Sequence, residues 1–231
     1  MATPLLIIFD CDGVLVDSEI IAADVEAKML KDYGLEMSAE DFAIRFAGLT
    51  WPTILSRLSE ESGIRFPDDL TEKAEAEIDR RLAEEVEEIA GAREAIEATA
   101  TAGLHRCICS NSSMKRLELE LDHVGLWDYF TPFVFPAREV ASGKGKPAPD
   151  VFLHACKEFG VEPSRAFVIE DSVHGVSGAV AAGCRVIGFT GASHSYPGHA
   201  DALTEAGATT VISRFKDLPA MIEALAHWDE A

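Results

Sequence analysis

Positive charge is scarce in this sequence, cysteine is sparse, and no long apolar run is present. Lys and Arg number 20 against 40 Asp and Glu in 231 residues, a formal net charge of −20. Such a deficit argues against general affinity for nucleic acid phosphates or anionic lipid. No apolar stretch approaches the length a bilayer span requires. The first residues lack the basic-then-apolar pattern of a secretory leader, since an acidic pair follows the first apolar run at once. Five cysteines, odd in number and unevenly spaced, make no disulfide framework, and Cys107 and Cys109 alternate as strand residues do. There is no Cys/His cluster of the kind that holds zinc. Reduced thiols and a cytoplasmic location are the expectation. Internal repeats and low-complexity linkers are also missing.

What is present is enough apolar material for a substantial core, 48% of the residues. The acidity is partly local: residues 66–89 carry ten acidic and three basic side chains. Ala74, Ile78, Leu82 and Val86 form one stripe through that run, so a solvated face of an amphipathic helix explains it.

From about Ala92 onward, helix and strand patterns alternate. Helical 92–102, 114–124, 149–159, 173–182 and 215–226 are interleaved with apolar runs at 105–109, near Phe133, and at 166–169, 185–189 and 209–212. With the opening run Leu5–Phe9, this predicts an α/β fold built on a doubly wound, Rossmann-like parallel sheet. Gly103 and Gly183 fall where helices should end. Residues 18–90 break the rhythm with four candidate helices (20–33, 39–46, 52–62 and 68–89) and no strand. The expected organisation is a core of residues 1–17 and 91–231 with an inserted helical unit of residues 18–90.

Chemistry-bearing residues follow three of the strands. Leu5–Phe9 runs into Asp10, Cys11, Asp12 and Gly13. Two carboxylates two residues apart at a strand end suit a hard cation and a carboxylate nucleophile, although a turn around Gly13 would also use them. Ser110 follows the second strand, where its hydroxyl and the next N–H groups can hold phosphoryl oxygens or simply cap a helix. Glu170 and Asp171 follow the strand at 166–169 and offer oxygen ligands, with Ser172 as a helix N-cap. Lys146 lies in a Gly- and Pro-rich loop, where a solvent-facing lysine is the plainest reading. In a doubly wound sheet the strand ends converge on one crevice.

Taken in order, Asp10-Cys11-Asp12-Gly13-Val14-Leu15-Val16-Asp17-Ser18, Ser110-Asn111-Ser112, Gly145-Lys146-Pro147-Ala148-Pro149-Asp150 and Glu170-Asp171-Ser172 resemble the four motifs of the haloacid dehalogenase superfamily. The resemblance covers nearly the whole chain and implies a C1-type helical cap in residues 18–90. It further implies that Asp10 is the nucleophile and Asp12 the general acid and base, with its backbone carbonyl on a metal. Ser110, Asn111 and Lys146 would hold the phosphate. Asp10, Asp12, Glu170 and Asp171 would hold Mg²⁺, the metal that suits an all-oxygen set. Cys11 would contribute only its backbone. True dehalogenases in the superfamily lack the second aspartate, so Asp12 points to phosphate esters.

Within the superfamily the chain resembles small sugar-phosphate phosphatases and β-phosphoglucomutase. Departures from the mutase pattern occur where a second phosphate would bind. Ala22 stands in place of a cap histidine, Ala47-Gly48-Leu49-Thr50-Trp51 in place of Lys-Gly-x-Ser-Arg, and Ser113-Met114 in place of Lys-Asn. Losing several charged hydrogen bonds, at roughly 1.5–3 kcal/mol each, favours a hydrolase. The expectation is a Mg²⁺-dependent phosphatase of a sugar or sugar-acid phosphate acting through an aspartyl-phosphate. A phosphomutase is the alternative, and a non-catalytic module that kept the scaffold is a more distant one. The expected partner is a small phosphate ester, with no nucleic acid or membrane, in a monomer or homodimer. Arg45, Gly48, Leu49, Thr50 and Trp51 are the candidate specificity residues, Trp51 either stacking on a sugar or packing the cap. Arg57 is a further candidate, and His194, Tyr196 and His199 are unassigned.

Overall fold

A computed structural model describes residues 5–46 and 49–227. Six strands form one parallel sheet in the order β3-β2-β1-β4-β5-β6. They are β1 (Leu6–Phe9), β2 (His105–Ser110), β3 (Val134–Pro136), β4 (Ala166–Glu170), β5 (Arg185–Phe189) and β6 (Thr210–Ile212). β1 lies between β2 and β4, with Phe9 in register with Ile108 on one side and Ile169 on the other. The strand order reverses direction at β1, which opens the crevice at the carboxyl ends of β1, β2 and β4.

Side-chain alternation divides the core into two layers. Ile7 and Phe9 face a cluster with Ile108, Ile169, Ile187, Leu117 and Ile96, whereas Leu6 and Ile8 face one with Cys107, Val168, Phe152 and Val176. The first layer is covered by α5 (Ala92–Thr101), α6 (Met114–His123) and α11 (Leu218–His227), and the second by α8 (Asp150–Phe159), α9 (Val173–Ala181) and α10 (His199–Glu205). A short α7 spans Trp127–Phe130. The five cysteines are free and buried. Gly103 and Gly183 follow the ends of α5 and α9 with φ of +69° and +83°, as their placement predicted.

Between β1 and α5 stand α1 (Glu19–Lys31), α2 (Ala39–Phe46), α3 (Trp51–Ser62) and α4 (Leu70–Glu85). They share an apolar cluster of their own around Leu30, Phe42, Phe46, Trp51 and Leu58. Ile21, Val25, Ile78 and Leu82 of α1 and α4 join the layer under the sheet instead, so the helical unit is seated on the core by two helices. Entry and exit run side by side, with Asp17 N–H donating to Glu87 O (2.9 Å) and Ile89 N–H to Leu15 O (2.9 Å). That crossing corrects the helix predicted over 68–89. Val86 turns extended (φ −63°, ψ 136°), and Glu88 forms an antiparallel bridge with Val16. The stripe continued through Val86 because Val86 is buried, not because it is helical.

Candidate active site

Asp10 caps β1, its N–H donating to Ile169 O at 3.0 Å. The chain then folds tightly, with the Leu15 N–H on Cys11 O (2.8 Å) and the Gly13 N–H on Val16 O (2.8 Å). Gly13 has φ +70°, and a Cβ there would lie 2.1 Å from Asp171 Oδ2. Only glycine lets this turn approach the acidic cluster so closely.

Lys146 links the loop after β3 to the ends of β1 and β4. Its Nζ donates to Asp10 Oδ1 at 2.8 Å and to Glu170 Oε1 at 2.6 Å, and all three residues are buried. Glu170 Oε2 accepts from the N–H (2.9 Å) and hydroxyl (3.0 Å) of Ser172. Ser172 also caps α9, accepting the Gly175 N–H at 3.0 Å. Gly175 lies beneath this carboxylate, and a Cβ there would meet Glu170 Oε1 at 1.7 Å. Burial raises the pKa of Asp10, opposed by Lys146 and reinforced by Glu170, Asp171 and Asp12. Burial alone would lower that of Lys146, but Asp10 and Glu170 outweigh it and keep the ammonium charged.

Asp10, Glu170 and Asp171 each offer a carboxylate oxygen, and these oxygens lie within 4.8 Å of one another. Three buried carboxylates against one lysine leave uncompensated negative charge, and an oxygen-only set fits a hard divalent cation. The Asp12 carboxylate turns elsewhere and accepts from the hydroxyls of Ser18 (2.7 Å), Ser112 (2.7 Å) and Ser110 (3.3 Å). Any metal contact from Asp12 therefore falls to its backbone. Asn111 lines the same cavity, but its amide is engaged with the Lys146 backbone, accepting the Lys146 N–H at 2.8 Å. That bond holds the lysine loop in place beside the cavity. Ser113, not Ser110, caps α6, accepting the Arg116 N–H.

The cavity above these residues measures about 590 Å³ and extends between the sheet edge and the inserted helices. Leu49 lines it. Arg45, Thr50 and Trp51 are not part of its lining. Arg45 is half-exposed and ion-paired with Glu61 at 2.8 Å, as is Arg57 at 2.8 Å. Trp51 is buried against Phe42 (centroids 6.2 Å apart) and serves packing. Thr50 is exposed and bonded to Thr53. Gly48 and the preceding Ala47 lie outside the described residues.

Several lining residues have no role assigned from the sequence. His194 Nε2 stands 3.0 Å from Asp171 Oδ2, and His199 Nε2 is 2.7 Å from Asp171 O. Burial opposes protonation of His194, but Asp171 more than offsets it and raises its pKa; burial lowers that of His199. Tyr196 stacks on His199 with centroids 4.7 Å apart. Arg116 of α6 lines the cavity and reaches across to Asp79 of α4 (Nε to Oδ1, 2.8 Å). Glu19 is open to the cavity, yet the protein packed around it and the Asp12 charge push its carboxyl up to about 7. Burial, then Glu19, pushes Glu26 up to about 8. Pro197-Gly198 before a short helix was the available signal for the histidine loop; for Glu19 and Glu26 it was their seven-residue spacing on one helix.

Chemistry of this kind, a buried carboxylate facing a lysine and a cation-binding cluster with a second aspartate beside it, is that of phosphoric monoester hydrolases. The haloacid dehalogenase-like hydrolase model matches residues 7–189, and the chain belongs to that family. It is similar to a haloacid dehalogenase-like protein of Agrobacterium tumefaciens str. C58, 53% identical with a TM-score of 0.92 over 97% of this chain and 100% of the other. A family hydrolase of Deinococcus radiodurans R1, solved with bound phosphate and sodium, is 33% identical with a TM-score of 0.84, covering 98% of each chain. The 6-phosphogluconate phosphatase of Escherichia coli K12 is 29% identical over 83% of this chain and 85% of its own length.

Proposed function

We propose that this protein is a Mg²⁺-dependent phosphatase of a small phosphorylated sugar-like metabolite, acting through an aspartyl-phosphate on Asp10. The observation that carries it is the buried Lys146 held between Asp10 and Glu170, beside Asp171. Asp10, Glu170, Asp171 and the Asp12 backbone would hold the cation, which when bound balances the phosphoryl charge. Asp10 attacks phosphorus as the bond to the leaving oxygen breaks, and Asp12 gives that oxygen a proton. Asp12 then takes a proton from the water that attacks the aspartyl-phosphate, which releases phosphate and restores Asp10. Lys146 and the Ser110 hydroxyl stabilise the transferring group. In this reading residues 18–90 are the cap over a core of residues 1–17 and 91–231, closing over the substrate and limiting water.

A mutase finds less support. Ala22 faces the cavity where a basic group would be needed, and Trp51 is occupied in packing. Phosphate release with Mg²⁺ across sugar phosphates, phosphoglycolate and nucleotides tests the proposal, with Asp10→Asn as the control. Metal-dependent release that the variant abolishes supports it. Conversion of an aldose 1-phosphate to the 6-phosphate without release would establish the mutase instead.

A further inference from the structure

The cavity follows α1 away from the carboxylate cluster. Glu19, Ala22, Ala23 and Glu26 stand at i, i+3, i+4 and i+7, and all four line it, so they form one helix face. Glu19 is at the catalytic end, where Asp12 and Asp171 act on its charge. Glu26 lies roughly 10 Å farther along the axis, the reach of an extended five- or six-carbon chain. The alanines between them leave the face low. The remaining wall there is apolar, with Phe42, Phe46, Ile54 and Ile78. Glu26 has no hydrogen bond or ion pair among the described residues, although it is half-buried.

The lysine and arginine of the described lining, Lys146 and Arg116, are already engaged. Lys146 is held by Asp10 and Glu170, and Arg116 by Asp79. His194 and His199 belong to Asp171. Above about pH 8, where Glu26 ionises, a carboxylate or second phosphate reaching it would lie against an acidic helix face with no free lysine or arginine to pair it. A hydroxyl or ammonium there would give the Glu26 carboxyl the partner it lacks.

Building on the phosphatase reading, we infer that Glu26 reads the far end of the leaving group and selects a hydrogen-bond donor over an anion. The substrate class is then the monophosphates of five- or six-carbon polyols and amino-polyols. This separates the chain from the substrate in the name of its Escherichia coli relative, whose leaving group ends in a carboxylate.

Three esters that differ only at the far carbon test it: glucitol 6-phosphate (hydroxyl), 1-amino-1-deoxyglucitol 6-phosphate (ammonium) and 6-phosphogluconate (carboxylate). At pH 9, where Glu26 is ionised, kcat/KM of the Mg²⁺-supplemented protein is expected to be at least tenfold higher for the alcohol and the amine than for the acid. Comparing the first two distinguishes a polyol from an amino-polyol. Glu26→Gln should cut the amine's advantage over the acid at least fivefold, and Glu26→Lys should reverse the order in favour of the acid. Ethyl phosphate, too short to reach position 26, should keep its kcat/KM within twofold in both variants, which a merely structural role would not predict. Affinities of Asp10→Asn for the same esters, measured by calorimetry, should follow the same order. A wild-type preference for 6-phosphogluconate, or ratios unmoved by the Glu26 variants, overturns the inference. Absence of phosphate release from all three would instead overturn the phosphatase reading, and the binding order would still decide the role of Glu26.

Discussion

Lys146 Nζ lies 2.8 Å from Asp10 Oδ1, and both groups are shielded from bulk water. The same ammonium also meets Glu170, so its removal strands two buried carboxylates. Lys146→Met should lower kcat/KM by about 10²–10³-fold, the cost of losing a preorganised charge at the transferring group. In chelator it should destabilise the fold by about 3–5 kcal/mol, because breaking a buried pair leaves charge uncompensated. Urea melts should show part of that loss restored by Mg²⁺, as binding to the native state requires.

The Asp12 carboxylate is oriented by serine hydroxyls from two parts of the chain. Ser112→Ala removes one bond of ordinary strength, so kcat should fall by about tenfold with KM nearly unchanged. Steady-state kinetics checks this, and a rise in KM alone would mean that Ser112 serves binding.

Glu120 of α6 is fully buried, with Oε1 unpartnered and Oε2 4.0 Å from Cys11 Sγ. Burial, then the Asp12 charge, raises its pKa from 4.5 to about 10. The folded state therefore holds this proton more tightly than the unfolded chain does. The stability it contributes is complete below the unfolded value and declines as pH rises toward the folded one. Glu120→Gln cannot titrate. Between pH 5 and 9 its stability relative to wild type should improve by on the order of 1–3 kcal/mol, read from urea midpoints.

Gly175→Ala would push a methyl group into the Glu170 carboxylate, which Lys146 and Ser172 already pin. Mg²⁺ affinity, followed by calorimetry, should weaken about 10–100-fold, as when an outer partner of a metal ligand is disturbed. Unchanged affinity would remove Glu170 from the cation site.

The sheet and the residues at its edge were legible because their signals are local. Apolar runs such as 166–169 lead straight into polar residues, and the aspartates of the first turn are two positions apart. The misplaced parts depend on partners distant in sequence. His199 is drawn to the carbonyl of Asp171, 28 positions away, which no local pattern encodes. Arg45 and Trp51 drew attention by their type, but Glu61 and Phe42 engage them. Glu26 faces a cavity whose apolar wall α2 and α3 supply from later in the chain. Val86 extended the α4 stripe on paper, whereas the bridge between Val16 and Glu88 draws the backbone out.

The parallel register has a kinetic consequence. Asp10 meets Lys146 across 136 positions, and β1 finds β4 only after about 160 residues have been threaded between them. No fragment that forms early from neighbouring residues can contain the complete site, since pairings so distant in sequence form late. Regain of activity after dilution from denaturant should therefore lag behind the recovery of helical signal, reporting closure of the sheet's centre.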